Sequence, residues 1–220
     1  MFNKWKKNTV YISTMQIILL IVNFFLITII SRKYGAEIYG EYASAKSLSV
    51  LIGTVTVLSL ALVVTRTSAN MEEFNSSLFY TTYRVIIRNT FFAFALVIPL
   101  SNIFGRNFTY VFFFLLGFVF NEMLHVALAY HQSKGDFVIS SKQIIIRTVL
   151  YGLGGWTIVF LDYSIIWIIV FQAVILTIFF IVAHFSLPNT DRSSEGLHDK
   201  KELSSAGRKM VLTTFSAALL

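Results

Sequence analysis

The 220-residue chain has no cysteine. Disulfides, thiolate metal sites and cysteine nucleophiles are therefore excluded. It has only two prolines and eleven glycines, too few for a collagen-like or low-complexity chain. Charge is scarce as well. Asp, Glu, Lys and Arg make up 13% of the residues, against about 25% in soluble domains. No nucleophile–base set, phosphate-binding glycine loop or zinc motif is found, so an enzyme is not expected. Alternating short strands of the β-barrel kind are absent too.

What fills the space is apolar. Hydrophobic residues reach 56%, and the mean hydropathy is +0.71. Runs near 20 residues recur, and about 20 helical residues at 1.5 Å rise span a hydrocarbon core of roughly 30 Å. The expected fold is an all-α integral membrane protein: a six-helix transmembrane bundle plus the start of a seventh helix. The spans fall near 10–30, 43–64, 85–104, 109–130, 144–161 and 165–185. The bundle would occupy residues 1–185, a polar linker 186–209, and the start of a truncated seventh helix 210–220. Eleven residues cover only about half a bilayer, which suggests a truncated copy. The basic N-terminus Met1–Lys7 leads into a run too long for a signal-peptide core, so the first helix reads as uncleaved.

Basic residues set the orientation. With the N-terminus in the cytoplasm, twelve of them fall in inside segments and three, Arg32, Lys33 and Arg106, fall outside. The linker is then cytoplasmic. The net charge of +7 follows from this asymmetry and does not call for nucleic acid.

Ionisable groups at membrane depth are functional candidates because they are costly. Glu122 lies near the middle of the fourth span in Asn121-Glu122-Met123-Leu124-His125. Glu122 and His125 share a helix face and could serve ion coupling; a neutral or locally satisfied carboxyl is the alternative. Glu-x-x-His is also half of a di-iron bundle motif, but its second copy, Glu195 to His198, lies in the linker, so a metal site is not expected. Lys46, Arg88 and Arg147 each lie about one turn inside their spans. Singly they would snorkel to the interface; together they suit a basic cavity for a phosphate-bearing ligand. Gln16 and Asn23, seven apart, share a face of the first span, and Gln172 is near the middle of the sixth. Such amides either bond neighbouring helices or line a lumen. Gly152-Leu153-Gly154-Gly155 suits close helix packing or a flexible joint, and Pro99, which removes one backbone hydrogen bond, could kink the third span.

Between the first two runs lies a charged turn, Ser31 to Tyr42. Its residues Arg32, Tyr34, Gly35, Tyr39, Gly40 and Tyr42, with Arg66 after the second span, form a pattern of helix, Arg-x-Tyr-Gly-x-x-x-Tyr-Gly-x-Tyr, helix, Arg. This resembles the polysaccharide/O-antigen flippase branch of the multidrug/oligosaccharidyl-lipid/polysaccharide exporter superfamily. The stretch Tyr130 to Phe137 resembles that family's turn between helices four and five. The resemblance implies flipping of undecaprenyl-diphosphate-linked oligosaccharide repeat units across the inner membrane by alternating access, with this chain as the N-terminal half. Its implied partners are the lipid-linked oligosaccharide, membrane lipids and glycan polymerase or assembly proteins. It implies no cofactor and no nucleic acid. Arg32 and Arg66 match the family pattern, and with Lys46, Arg88 and Arg147 they are the expected charge contacts. A small-molecule or drug antiporter of the same superfamily, and a non-transporting membrane remnant, are the alternatives.

Overall fold

The computed structural model describes residues 2–57, 60–69 and 76–187. The expected linker beyond 187 and the seventh run lie outside the described residues. Those described form helices and short turns, with no strand among them. The helices are α1 (Phe2–Val57), α2 (Leu60–Ala69), α3 (Ser76–Ile103), α4 (Phe108–Ser133), α5 (Phe137–Phe160) and α6 (Ile166–Phe185). Five of them are long and apolar enough to cross a membrane, and α2 is a shorter apolar helix. The chain is thus a multi-pass helical membrane protein.

α1 contains the expected first span, 10–30, and residues 43–57 of the expected second span, 43–64, whose residues 60–64 fall instead in α2. The helical geometry of α1 breaks at Gly35 (φ 84°, ψ 168°), a backbone region open essentially to glycine alone. The contacts on either side show that the chain reverses there. Before the break, Asn8 donates to the Gly135 carbonyl at the end of α4, and Tyr34 donates to the Tyr163 carbonyl after α5. After it, Tyr42 meets Phe114 near the start of α4, and Gly53 faces Phe118 one turn further along. The first arm (2–34) therefore runs against α4, and the second arm (36–57) runs with it. Gly40, paired with Gly35 in the turn motif, is helical with open space around it. The return depends on one glycine, not two.

Apolar faces pack the arms onto α4, α5 and α6. Gly152 and Gly155 of α5 are approached by Val22 and Leu26, one turn apart on the first arm. A Cβ at Gly155 would come within 2.7 Å of the Leu26 side chain, and one at Gly154 would overlap the Phe171 ring of α6. The glycine run is thus a groove that lets backbones approach. One apolar cluster joins Leu26, Ile30, Tyr42, Val111, Leu115 and Ile168 near the Gly35 end. Another joins Leu60, Val64, Leu78, Ile86, Val126 and Ala129 towards the Gly135 end.

Helix ends are closed locally. Asn107 caps α4 by accepting from the Thr109 N–H at 3.1 Å. After α3, α4 and α5 the backbone turns left-handed at Gly105, Gly135 and Asp162, and the next N–H returns five residues, as from Asp136 to the His131 carbonyl at 2.9 Å. Asp162 also pairs with Lys33 across the Gly35 end. This pair and the Tyr34–Tyr163 bond tie the hairpin tip to the α5–α6 turn.

The two turn glycines should respond oppositely. Gly35→Ala forces a side chain into a glycine-only conformation and should lower stability by about 1–3 kcal/mol. Gly40→Ala, in open helix, should leave it unchanged or raise it by up to about 1 kcal/mol. Thermal unfolding of both variants in detergent checks this; equal losses would show that the reversal does not depend on Gly35.

Candidate functional site: a basic, amide-lined cavity between helices

α5 begins at Phe137, seven residues before the expected start, so Arg147 is ten residues into the helix rather than one turn. That places it about 15 Å from one end and 20 Å from the other at 1.5 Å per residue. Asn121 is thirteen residues into α4 and twelve from its end. The two meet: Arg147 donates from Nη1 to Asn121 Oδ1 at 2.6 Å. Snorkelling to the interface does not describe this arginine.

Around that bond lies a cavity of about 230 Å3. The first arm of α1 contributes Leu19 and Asn23, and the second contributes Lys46, Ser49 and Val50. α4 gives Phe114, Gly117, Phe118 and Asn121; α5 gives Arg147, Thr148 and Tyr151; α6 gives Gln172, Ile175 and Leu176. Spacing explains the convergence. Arg147 and Tyr151 are four apart on α5, as are Lys46 and Val50 on α1 and Gly117 and Asn121 on α4, so each set shares one face.

Electrostatically the cavity is one-sided. It carries two cationic side chains, and none of its lining residues is a carboxylate. Lys46 has no hydrogen-bond partner or counter-ion among the described residues, and Arg147 is held by a neutral amide. Gln172 Oε1 is buried without a hydrogen-bond partner among the described residues. Asn23 turns its amide back to the Leu19 carbonyl at 2.9 Å. Buried charges and polar atoms are costly when unpaired, so this cavity is fitted to water or to an anion. Tyr151 closes one side with its hydroxyl 3.2 Å from that of Tyr42. Ser49 is engaged, its Oγ facing the Ala45 and Val111 carbonyls at 2.8 and 2.9 Å. Lys46 and Val50 also border a groove of about 400 Å3 formed with Ser47, Leu51 and Thr54, so these two residues are the wall between cavity and groove.

Of the expected site residues, Lys46, Arg147, Asn23 and Gln172 come together here. Arg32, Arg66, Arg88 and Gln16 are exposed and do not line the cavity. Glu122 is partly buried beside it and accepts from Asn121 Nδ2 at 3.5 Å. His125 lies within electrostatic reach of Arg147; among the described residues no hydrogen bond or ion pair joins it to Glu122. Asn121, Ser49, Thr148 and Tyr151 carried no role in the sequence reading. The available signal was the four-residue spacing of Arg147 and Tyr151, and the amide immediately before Glu122.

No protein-family model matches the chain, and no curated protein or solved structure matches it.

Asn121→Leu removes the hydrogen-bond partner of Arg147 at nearly constant volume. A hydrogen bond to a charged group contributes about 1.5–3 kcal/mol, so the variant should lose that much stability. Adding Arg147→Met should restore most of it, as measured by thermal unfolding. No recovery in the double variant would mean that Asn121 does not act through Arg147.

Proposed function

We propose that this chain is the N-terminal bundle of a translocase that flips undecaprenyl-diphosphate-linked oligosaccharides across the inner membrane by alternating access. The observation that carries the reading is the cavity in which Lys46 and Arg147 meet three amides at mid-depth, with no carboxylate lining it. A diphosphate with a polar glycan cannot cross hydrocarbon unaided, because its charge loses its hydration. Two cations in a low-dielectric wall offset that loss. At about 230 Å3 the cavity is smaller than the roughly 300–1,000 Å3 of drug-sized sites. It suits a phosphate-bearing head, with the sugars lying outside. The turn motif from Arg32 to Tyr42 supports the same reading.

In this proposal the N-terminus is cytoplasmic and the Gly35 turn is on the outer face. Glu122, joined to Arg147 through Asn121, is the coupling carboxylate. Small-molecule antiport is the second reading, favoured by this same titratable group next to the cavity.

Three measurements test these statements. In the full-length translocase, a combined Lys46→Ala and Arg147→Ala change should abolish restoration of surface glycan in a flippase-deficient strain, at unchanged protein level in the membrane. Full restoration would end the diphosphate reading. Glu122→Gln should weaken the dependence of transport on the proton gradient, and unchanged dependence removes the coupling role. Because the chain has no native cysteine, a cysteine at Ala36 should label from outside the cell; labelling from the cytoplasm would invert the topology.

A further inference from the structure

α3 presents one stripe to the outside of the bundle. Tyr80, Arg84, Ile87, Arg88, Phe91 and Ala95 are all exposed and recur at three- and four-residue spacing, the period of a single helix face. The opposite stripe, Thr82, Ile86, Ala93 and Val97, is fully buried. An apolar outer stripe would simply face lipid. This one carries two arginines.

Their depth follows from ring contacts. Phe94 meets Phe112 of α4 with centroids 4.8 Å apart. Tyr83 meets Phe180 of α6 at 5.6 Å, and Phe180 also meets Phe120 of α4. Arg88 lies between Tyr83 and Phe94 and so sits opposite the interior of α4. It is twelve residues from Ser76 and fifteen from Ile103, or about 18 and 22 Å from the helix ends. The half-thickness of a hydrocarbon core is about 15 Å. Arg84, one turn nearer the Gly135 end, can snorkel along its own helix. Arg88 lies one turn further in, opposite the interior of α4.

Nothing described in this chain neutralises it. Arg88 donates to Asn89 Oδ1 at a long 3.4 Å, and among the described residues no carboxylate pairs with Arg84 or Arg88. Ionisable side chains at this depth face a protein interior or water, or are paired, rather than bare lipid. A second copy of the chain offers Glu122 at this depth, and that group is partly buried beside Asn121. The apolar run 210–220 contains no acidic residue.

We propose that this face of α3 docks the transmembrane helix of a partner protein that carries an Asp or Glu at mid-depth. The carboxylate pairs with Arg88, and the flanking Ile87 and Phe91 pack against the apolar turns on either side of it. The inference does not depend on what the internal cavity carries.

The test places the sole thiol of the protein at Ile87→Cys, attaches an environment-sensitive fluorophore in native membranes, and compares quenching by a lipid-phase nitroxide and by aqueous iodide. Leu153→Cys, on an exposed position of α5, is the lipid-facing control. The covered face should show less than about a third of the control quenching by nitroxide and none by iodide. Adding Arg88→Glu should expel the helix and bring nitroxide quenching up to the control. Control-level nitroxide quenching with Arg88 intact means bare lipid, iodide quenching means a water-filled passage, and protection that survives Arg88→Glu means the arginine is not the contact; each overturns the proposal. In vesicles of the purified protein, a leucine-rich transmembrane peptide with one central Glu should associate at least tenfold more tightly, by energy transfer, than the same peptide with Gln. Equal association also overturns it.

Discussion

A guanidinium in the middle of an apolar bundle constrains everything around it. Arg147 reaches Asn121 because α4 and α5 each place a polar residue near their midpoints. The buried positive charge cannot be left in hydrocarbon, so the packing around it opens into a cavity lined with amides and hydroxyls. Lys46 adds a second cation to the same space. Apolar clusters above and below then hold this polar centre at fixed depth. The fold trades close packing at its centre for a polar cavity around the charge.

Much of this architecture was legible in the residues. The apolar runs gave the helices, and the sixth helix matched its expected span to within one residue at its start. Gly152 to Gly155 was recognisable as a close-packing run, and it is. Hydropathy alone puts the starts of α3 and α5 late, at 85 and 144 instead of the observed Ser76 and Phe137. The reason is that hydropathy falls where Ser, Thr, Lys and Gln occupy the first turns, although those residues continue the helix. That error moved Arg147 from its true mid-depth position to an apparent edge.

Which candidate residues converge was less legible. Periodicity tells which side chains share a face, and it placed Gln16 with Asn23. It does not tell which part of the face meets a neighbour: Asn23 lines the cavity and Gln16 is exposed. Arg88 and Arg147 looked equivalent as single basic residues inside spans. They separate only when α3 and α5 are packed, one turning its arginine outward and the other inward. Asn121 was overshadowed by Glu122 next to it, although a neighbour on a helix points about 100° away.

The first arm of α1 is fastened at both extremities. Asn8 is bonded to the Gly135 carbonyl at one end, and at the other Tyr34 and Lys33 hold the turn that follows α5. Between those points Val22 and Leu26 sit in the α5 glycine groove. Arm and α5 therefore behave mechanically as one beam clamped at its ends. Any change of cavity shape that keeps these bonds must come from the opposite wall, where Lys46 and Val50 separate the cavity from the outer groove. The cation on that wall would travel with it, while Arg147 stays with the beam.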